Sequence, residues 1–152
     1  MKTIKKIELR ARTIKVSEQS APYGEILNPS DVVQAASQVL DGEEQEVFLV
    51  FMLNIKNKIL GFSEIARGSV DACPVDPRAV FRTAVLMGAS GVILAHCHPS
   101  GDPTPSQHDI ALTTRLMEAG NLLGIKVLDH VIIAGTSWIS LEEKRLMQSH
   151  QA

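Results

Sequence analysis

Hydrophobic and polar positions fall into several distinct rhythms along this chain. Residues 3–16 set Ile4, Ile7, Leu9, Ile14 and Val16 loosely among charges, which predicts one or two strands. Pro22, Gly24 and Pro29 mark a loop. Beyond it Val32, Val33, Ala36 and Val39 recur at helical spacing, predicting a helix capped by Ser30 or Asp31 and ending near Leu40. The run from Glu46 to Leu53 is dense in strand formers and predicts a buried strand. A polar turn over 54–57 then leads into a hairpin partner over 58–65, with a further short strand over 68–73.

Asp76 before Pro77 predicts a helix start, because proline suits the first helical turn. That helix should carry Val80, Phe81, Ala84, Val85 and Met87 into the core and end near Gly88. Residues 91–95 form a short apolar strand that delivers His96 at its end. Thr104 or Ser106 should cap the next helix, which runs to about Leu123 and stops at Gly124. Strands over 127–134 and 137–140, joined at Gly135, and a short helix from Leu141 complete the pattern. Central strands with flanking helices predict an α/β (α+β) domain built on a mixed central sheet.

Composition adds bounds rather than identity. With 152 residues the chain is long enough for one core-bearing domain, expected over 30–152 behind an N-terminal strand or arm over 1–29. Hydrophobic content of 45% and charged content of 21% are ordinary for a globular protein. The net charge of -2 gives no general pull toward nucleic acid or anionic membrane. Lys2, Lys5, Lys6, Arg10, Arg12 and Lys15 crowd the N-terminus; they suit an edge strand protected by its lysines, or a local contact with an acidic partner. The two cysteines, Cys73 and Cys97, fit neither a disulfide framework nor a zinc knuckle. Neither a secretory signal nor a membrane-spanning stretch stands out, so the expected compartment is the cytoplasm.

One segment carries chemistry. Three of the five histidines fall within residues 96–108, and His96 and His98 alternate at the end of an apolar run. Side chains two apart on extended backbone share a face, so both imidazoles can reach one ion while Cys97 points away. Pro99, Gly101, Pro103 and Pro105 suit a rigid, reversing loop that brings Asp109 back on the first turns of the following helix. Two imidazoles and a carboxylate make a three-ligand set with one coordination position left open, the pattern of a catalytic rather than a structural zinc ion. Each residue also has an ordinary use, since an aspartate near a helix start complements the dipole and a buried histidine can simply be hydrogen-bonded.

The stretch His96-Cys-His-Pro-Ser-Gly-Asp-Pro-Thr-Pro-Ser-Gln-His-Asp109 closely resembles the signature of the RadC family, in the JAB/MPN (JAMM) class of zinc metalloproteases. That class carries an upstream glutamate, then H-x-H, seven residues, Ser, two residues and Asp, a spacing kept here by His96, His98, Ser106 and Asp109. The resemblance extends through Gly68-Ser69-Val70, Pro77-Arg78-Ala79-Val80-Phe81 and Asp129-His130-Val131-Ile132-Ile133, over roughly residues 30–150. It implies a JAB/MPN-like domain of cytidine-deaminase-like architecture, with Zn²⁺ held by His96, His98 and Asp109. Glu46 stands where family members place the glutamate, directly before the opening strand; Glu43, Glu44 and Glu64 are its competitors.

The resemblance implies metal-assisted amide hydrolysis of a peptide or protein, with Glu46 as general base and Ser106 as donor to the oxyanion. Cys97 replaces the asparagine usual between the histidines and is expected as a small buried residue. His108 and His130 are expected to support the site or the structure, His130 beside Asp129 being the better supporting group. The helix-hairpin-helix DNA-binding element of longer members is not seen, which weakens a direct DNA role. The alternative is a non-catalytic module, either DNA-repair-associated or using the metal as a structural clip, with a fourth protein ligand such as Cys97.

Overall fold

The computed structural model of the protein describes residues 24–68 and 74–148. The N-terminal strands expected over 3–16, and most of the short strand expected over 68–73, lie outside the described residues. The described chain runs α1 (Pro29–Leu40), β1 (Glu46–Leu53), β2 (Ile59–Gly68), α2 (Pro77–Leu86), β3 (Gly91–Cys97), α3 (Gln107–Leu123), β4 (Lys126–Ala134) and β5 (Ser137–Ser140). Among the described residues these make one five-stranded mixed sheet, ordered β2-β1-β3-β4-β5, with three flanking helices. β3 and β4 are parallel and joined through α3, while the other neighbours pair antiparallel.

Parity along the strands sorts side chains onto two faces. Val47, Leu49, Phe51 and Leu53 of β1 join Ile93, Ala95 and Cys97 of β3 beneath α1. Phe48, Val50 and Met52 join Val92 and Leu94 on the other face, with Val80, Phe81 and Ala84 of α2 and Leu116 of α3. Because helices cover both faces, β1 and β3 read as continuous apolar runs rather than alternating ones. Fully buried side chains such as Leu49, Leu53 and Leu94 contribute roughly 1.5–3 kcal/mol each.

Local chemistry sets the helices, with several departures from expectation. Asn28, not Ser30 or Asp31, caps α1: its side chain accepts from the Ser30 and Asp31 amides, and Asp31 answers from the third helical position. Pro29, expected in the loop, is therefore the first helical residue. Val85 is 58% exposed, because α2 turns only Val80, Phe81 and Ala84 inward. The segment after β5 forms turns rather than a helix, with Arg145 at φ 56° and the Glu142 amide bonded to the Asp129 carboxylate.

α3 returns tightly to the sheet. A Cβ on Gly120 would lie 2.3 Å from the Ile125 carbonyl oxygen and 3.2 Å from the Phe81 ring, so only glycine permits this approach. No described helix is long and apolar enough to cross a membrane.

Candidate metal centre

β3 and α3 place the centre between them. The His98 amide donates to the Ile133 carbonyl at 2.8 Å, so extended pairing continues one residue past β3 and the alternation of His96 and His98 is kept. Their Nε2 atoms lie 2.8 Å apart. Cys97 faces the α1 side, where its Sγ donates to the Gln45 carbonyl, and burial pushes its thiol pKa up. It is a packing residue and lies outside the ligand cluster.

The loop behind His98 closes sharply. Gly101, at φ 85°, donates to the His98 carbonyl, and the Asp102 carbonyl oxygen lies 2.8 Å from His98 Nδ1. A carbonyl only accepts, so His98 carries its proton on Nδ1 and leaves the Nε2 lone pair facing His96.

Ser106 caps α3 and Asp109 completes a capping box. The Ser106 amide and hydroxyl donate to Asp109 Oδ2 at 2.7 and 2.8 Å, while the Asp109 amide donates back to Ser106 Oγ. This aims the carboxylate at the imidazoles, with Oδ1 3.4 Å from His96 Nε2 and Oδ2 3.6 Å from His98 Nε2. Burial opposes the charge on Asp109. The His98 and His96 imidazoles facing it and the Ser106 donors together outweigh that, holding the carboxyl well below its usual range. Burial lowers the His96 pKa to about 4, whereas the Asp109 carboxylate raises that of His98 against a smaller burial effect.

The three ligand atoms of His96, His98 and Asp109 lie within 4.8 Å of one another, a group that could hold a metal ion. Its donor chemistry fits one: two imidazole nitrogens and an ionised carboxylate converge, a nitrogen and oxygen set of the kind that zinc takes.

Register explains which glutamate joins them. β1 and β3 pair antiparallel with Phe48 opposite His96, so Glu46, two residues earlier, falls beside His98. Its Oε1 lies 3.9 Å from His98 Nε2. Arg67 binds both Glu43 and Glu64 away from the centre, and Glu44 is exposed. A cleft whose lining includes Glu46, Phe48, Val75, Ser106, His108 and Leu112 opens beside two of the three residues of the ligand group, His96 and Asp109. His108 is exposed at its rim.

His130 sits beneath His96, and both of its ring nitrogens have a partner. Its Nε2 lies 2.7 Å from His96 Nδ1 and its Nδ1 2.6 Å from Thr113 Oγ1. The Asp129 carboxylate instead takes the His130 amide, the Ser140 hydroxyl and the Glu142 amide. Sequence reasoning missed Thr113, whose signal was its place one helical turn beyond Asp109 on α3.

The family profile of the RadC-like JAB domain matches residues 26–146. A UPF0758 protein of Caldanaerobacter subterraneus subsp. tengcongensis is 47% identical over 133 residues, covering 88% of this chain and 57% of that protein. UPF0758 proteins of Clostridium perfringens and Moorella thermoacetica are 43% and 45% identical, over 90% and 80% of this chain. The chain spans 53–59% of the length of these relatives.

Proposed function

The chain belongs to the RadC family of JAB domains, and from that premise we propose that it is a zinc-dependent hydrolase of amide bonds, a peptidase or isopeptidase. The observation that carries this reading is the glutamate beside a three-ligand group: Glu46 Oε1 stands 3.9 Å from His98 Nε2 and lines one cleft with His96 and Asp109.

His96, His98 and Asp109 would hold the ion, a nitrogen and oxygen set suited to zinc. When bound, zinc supplies a water of lowered pKa and polarises the scissile carbonyl. Glu46 would accept a proton from the attacking water on its carboxylate and return it to the departing amine nitrogen. The Ser106 amide keeps Asp109 aimed, which leaves the hydroxyl able to turn from Oδ2 toward the developing oxyanion. Phe48, Val75 and Leu112 give the cleft apolar walls that restrict water around these groups. The substrate class is a peptide or protein segment that presents its scissile amide at the mouth of that cleft.

A closed structural zinc site would need a fourth protein ligand. Cys97, the thiol nearest in sequence, faces the opposite side of the sheet. A DNA-binding module draws no support from a net charge of -2. The free, buried Cys97 suits a reducing cytoplasmic compartment.

The test is metal content of the purified chain beside His96→Ala and Asp109→Ala. About one zinc per chain, lost in both variants while each stays folded, is the expected result. A wild-type chain that is metal-free and cannot be reloaded would sink the hydrolase reading.

A further inference from the structure

We propose that His130 is a positioning residue of the metal centre: its Nε2 accepts the Nδ1 proton of His96, and Thr113 holds His130 in the tautomer that allows this. The inference rests on the metal-binding reading above and assigns a role that reading leaves empty.

For His96 to ligate through Nε2, its single proton must sit on Nδ1. His96 is 3% exposed, so that proton needs an acceptor inside the protein. His130 Nε2, at 2.7 Å, provides one. The His130 proton must then occupy Nδ1, which lies 2.6 Å from Thr113 Oγ1. Thr113 in turn donates its hydroxyl hydrogen to the Asp109 carbonyl at 2.7 Å. The relay thus starts at one ligand and ends on the backbone of another. His130 and Thr113 are both 0% exposed, so no solvent competes along it.

Phe48 keeps the rings from turning out of line. It stacks on His96 at 5.8 Å and meets the edge of His130 at 5.4 Å. Direction is what matters. Run backwards, from the Thr113 hydroxyl to His130 Nδ1, the relay would place the His96 proton on Nε2, facing His98 and blocking the ion. The bond from Thr113 to the Asp109 carbonyl is what favours the productive direction. His98 achieves the same end more simply, through the Asp102 carbonyl. Metal-bound histidines commonly use a carboxylate, carbonyl or water for this purpose, and here an imidazole takes that place.

The first measurement uses the unaltered chain, labelled with ¹⁵N and loaded with zinc, and reads each imidazole tautomer by two-bond proton–nitrogen NMR. His130 is expected to carry its proton on Nδ1 and to show a bare Nε2. A loaded chain with His130 protonated on Nε2 overturns the proposal. The second measurement is zinc affinity by chelator competition, with folding checked by circular dichroism. His130→Leu should weaken zinc roughly 10- to 100-fold, while His130→Gln, whose Oε1 can accept the same proton, stays near wild type. Thr113→Val, nearly isosteric, should lose affinity by a smaller factor and gives the result should His130→Leu not fold.

A folded variant of this pair that binds as tightly as wild type, or a Gln variant as weak as Leu, defeats the role given to His130 and leaves the hydrolase reading standing. A wild-type chain that takes up no zinc defeats both.

Discussion

His96 and Cys97 are consecutive on β3, nearly equally buried, and face different worlds. Under α1, Cys97 sits among Leu40, Leu49, Ala95 and Ile133, and its thiol makes a weak bond to the Gln45 carbonyl. Across the sheet, His96 meets His98, His130 and Asp109, with Thr113 a step behind. One face is held by dispersion and water exclusion. The other is a buried polar network that tolerates burial because each member has a partner; among the described residues no buried side-chain nitrogen or oxygen lacks one. The contrast teaches that the sheet separates stability from chemistry at single-residue resolution, so variants on the two faces should fail in different ways.

The largest divergence is expected at Glu46 and Leu49, three residues apart on β1. Glu46→Gln keeps the shape of the side chain and removes the base, so hydrolysis should fall by roughly 10²–10⁴-fold. Zinc content and unfolding midpoint should stay at wild-type values, checked by metal analysis and thermal melts. Undiminished hydrolysis would remove Glu46 from the mechanism. Leu49→Ala should do the reverse, costing about 2–5 kcal/mol in denaturant unfolding while the folded fraction binds zinc normally. If zinc affinity in the folded Leu49→Ala protein also collapsed, the two faces would not be independent.

How much of this was legible follows the range of the interactions. The alternation of His96 and His98, the apolar strands β1 and β3 and the capping position of Ser106 are local, and the expectations for them match the geometry. Glu46 had three rivals in sequence because its claim depends on β1 pairing with β3 in the register that sets Phe48 opposite His96. The competition at the start of α1 was local yet closely balanced, and Asn28 prevailed because Pro29 suits the first helical position and Asp31 completes the box. The helix expected from Leu141 lost to tertiary bonds, since Asp129 on β4 captures the Glu142 amide. Thr113 and His130 come from different elements, and no sequence rhythm brings them together.

Metal itself gives the next comparison, smaller and reversible. Zinc at a hundredfold excess over its Kd should raise stability by about 2.7 kcal/mol, and a chelator should reverse this. The gain should vanish in Asp109→Ala and persist in variants of the α1 face. It should also depend on pH with a defined sign. A protonated imidazole cannot ligate, and the Asp109 carboxylate raises the pKa of His98, so proton competition at His98 begins at higher pH than for an ordinary histidine. Zinc stabilisation should therefore be full above that pKa and fade as pH falls through it, while His96, at about 4, competes only in stronger acid. Melts with and without zinc across this range check the sign. A zinc gain that grew on acidification would contradict the ligand set.

The smallest expected effect is the sharpest test of the divide, because it touches the residue between the two ligands. Cys97→Ala removes one buried sulfur and its bond to the Gln45 carbonyl. Gln45 is exposed, so water can take over that carbonyl and the loss reduces to packing, about 1 kcal/mol. Zinc affinity should not change, since the Sγ lies on the α1 side and burial keeps it a neutral thiol rather than a ligating thiolate. Chelator competition on the folded variant reads this directly. A tenfold loss of zinc would mean that Cys97 reaches the centre after all, and that the sheet is not the barrier between packing and chemistry inferred from its geometry.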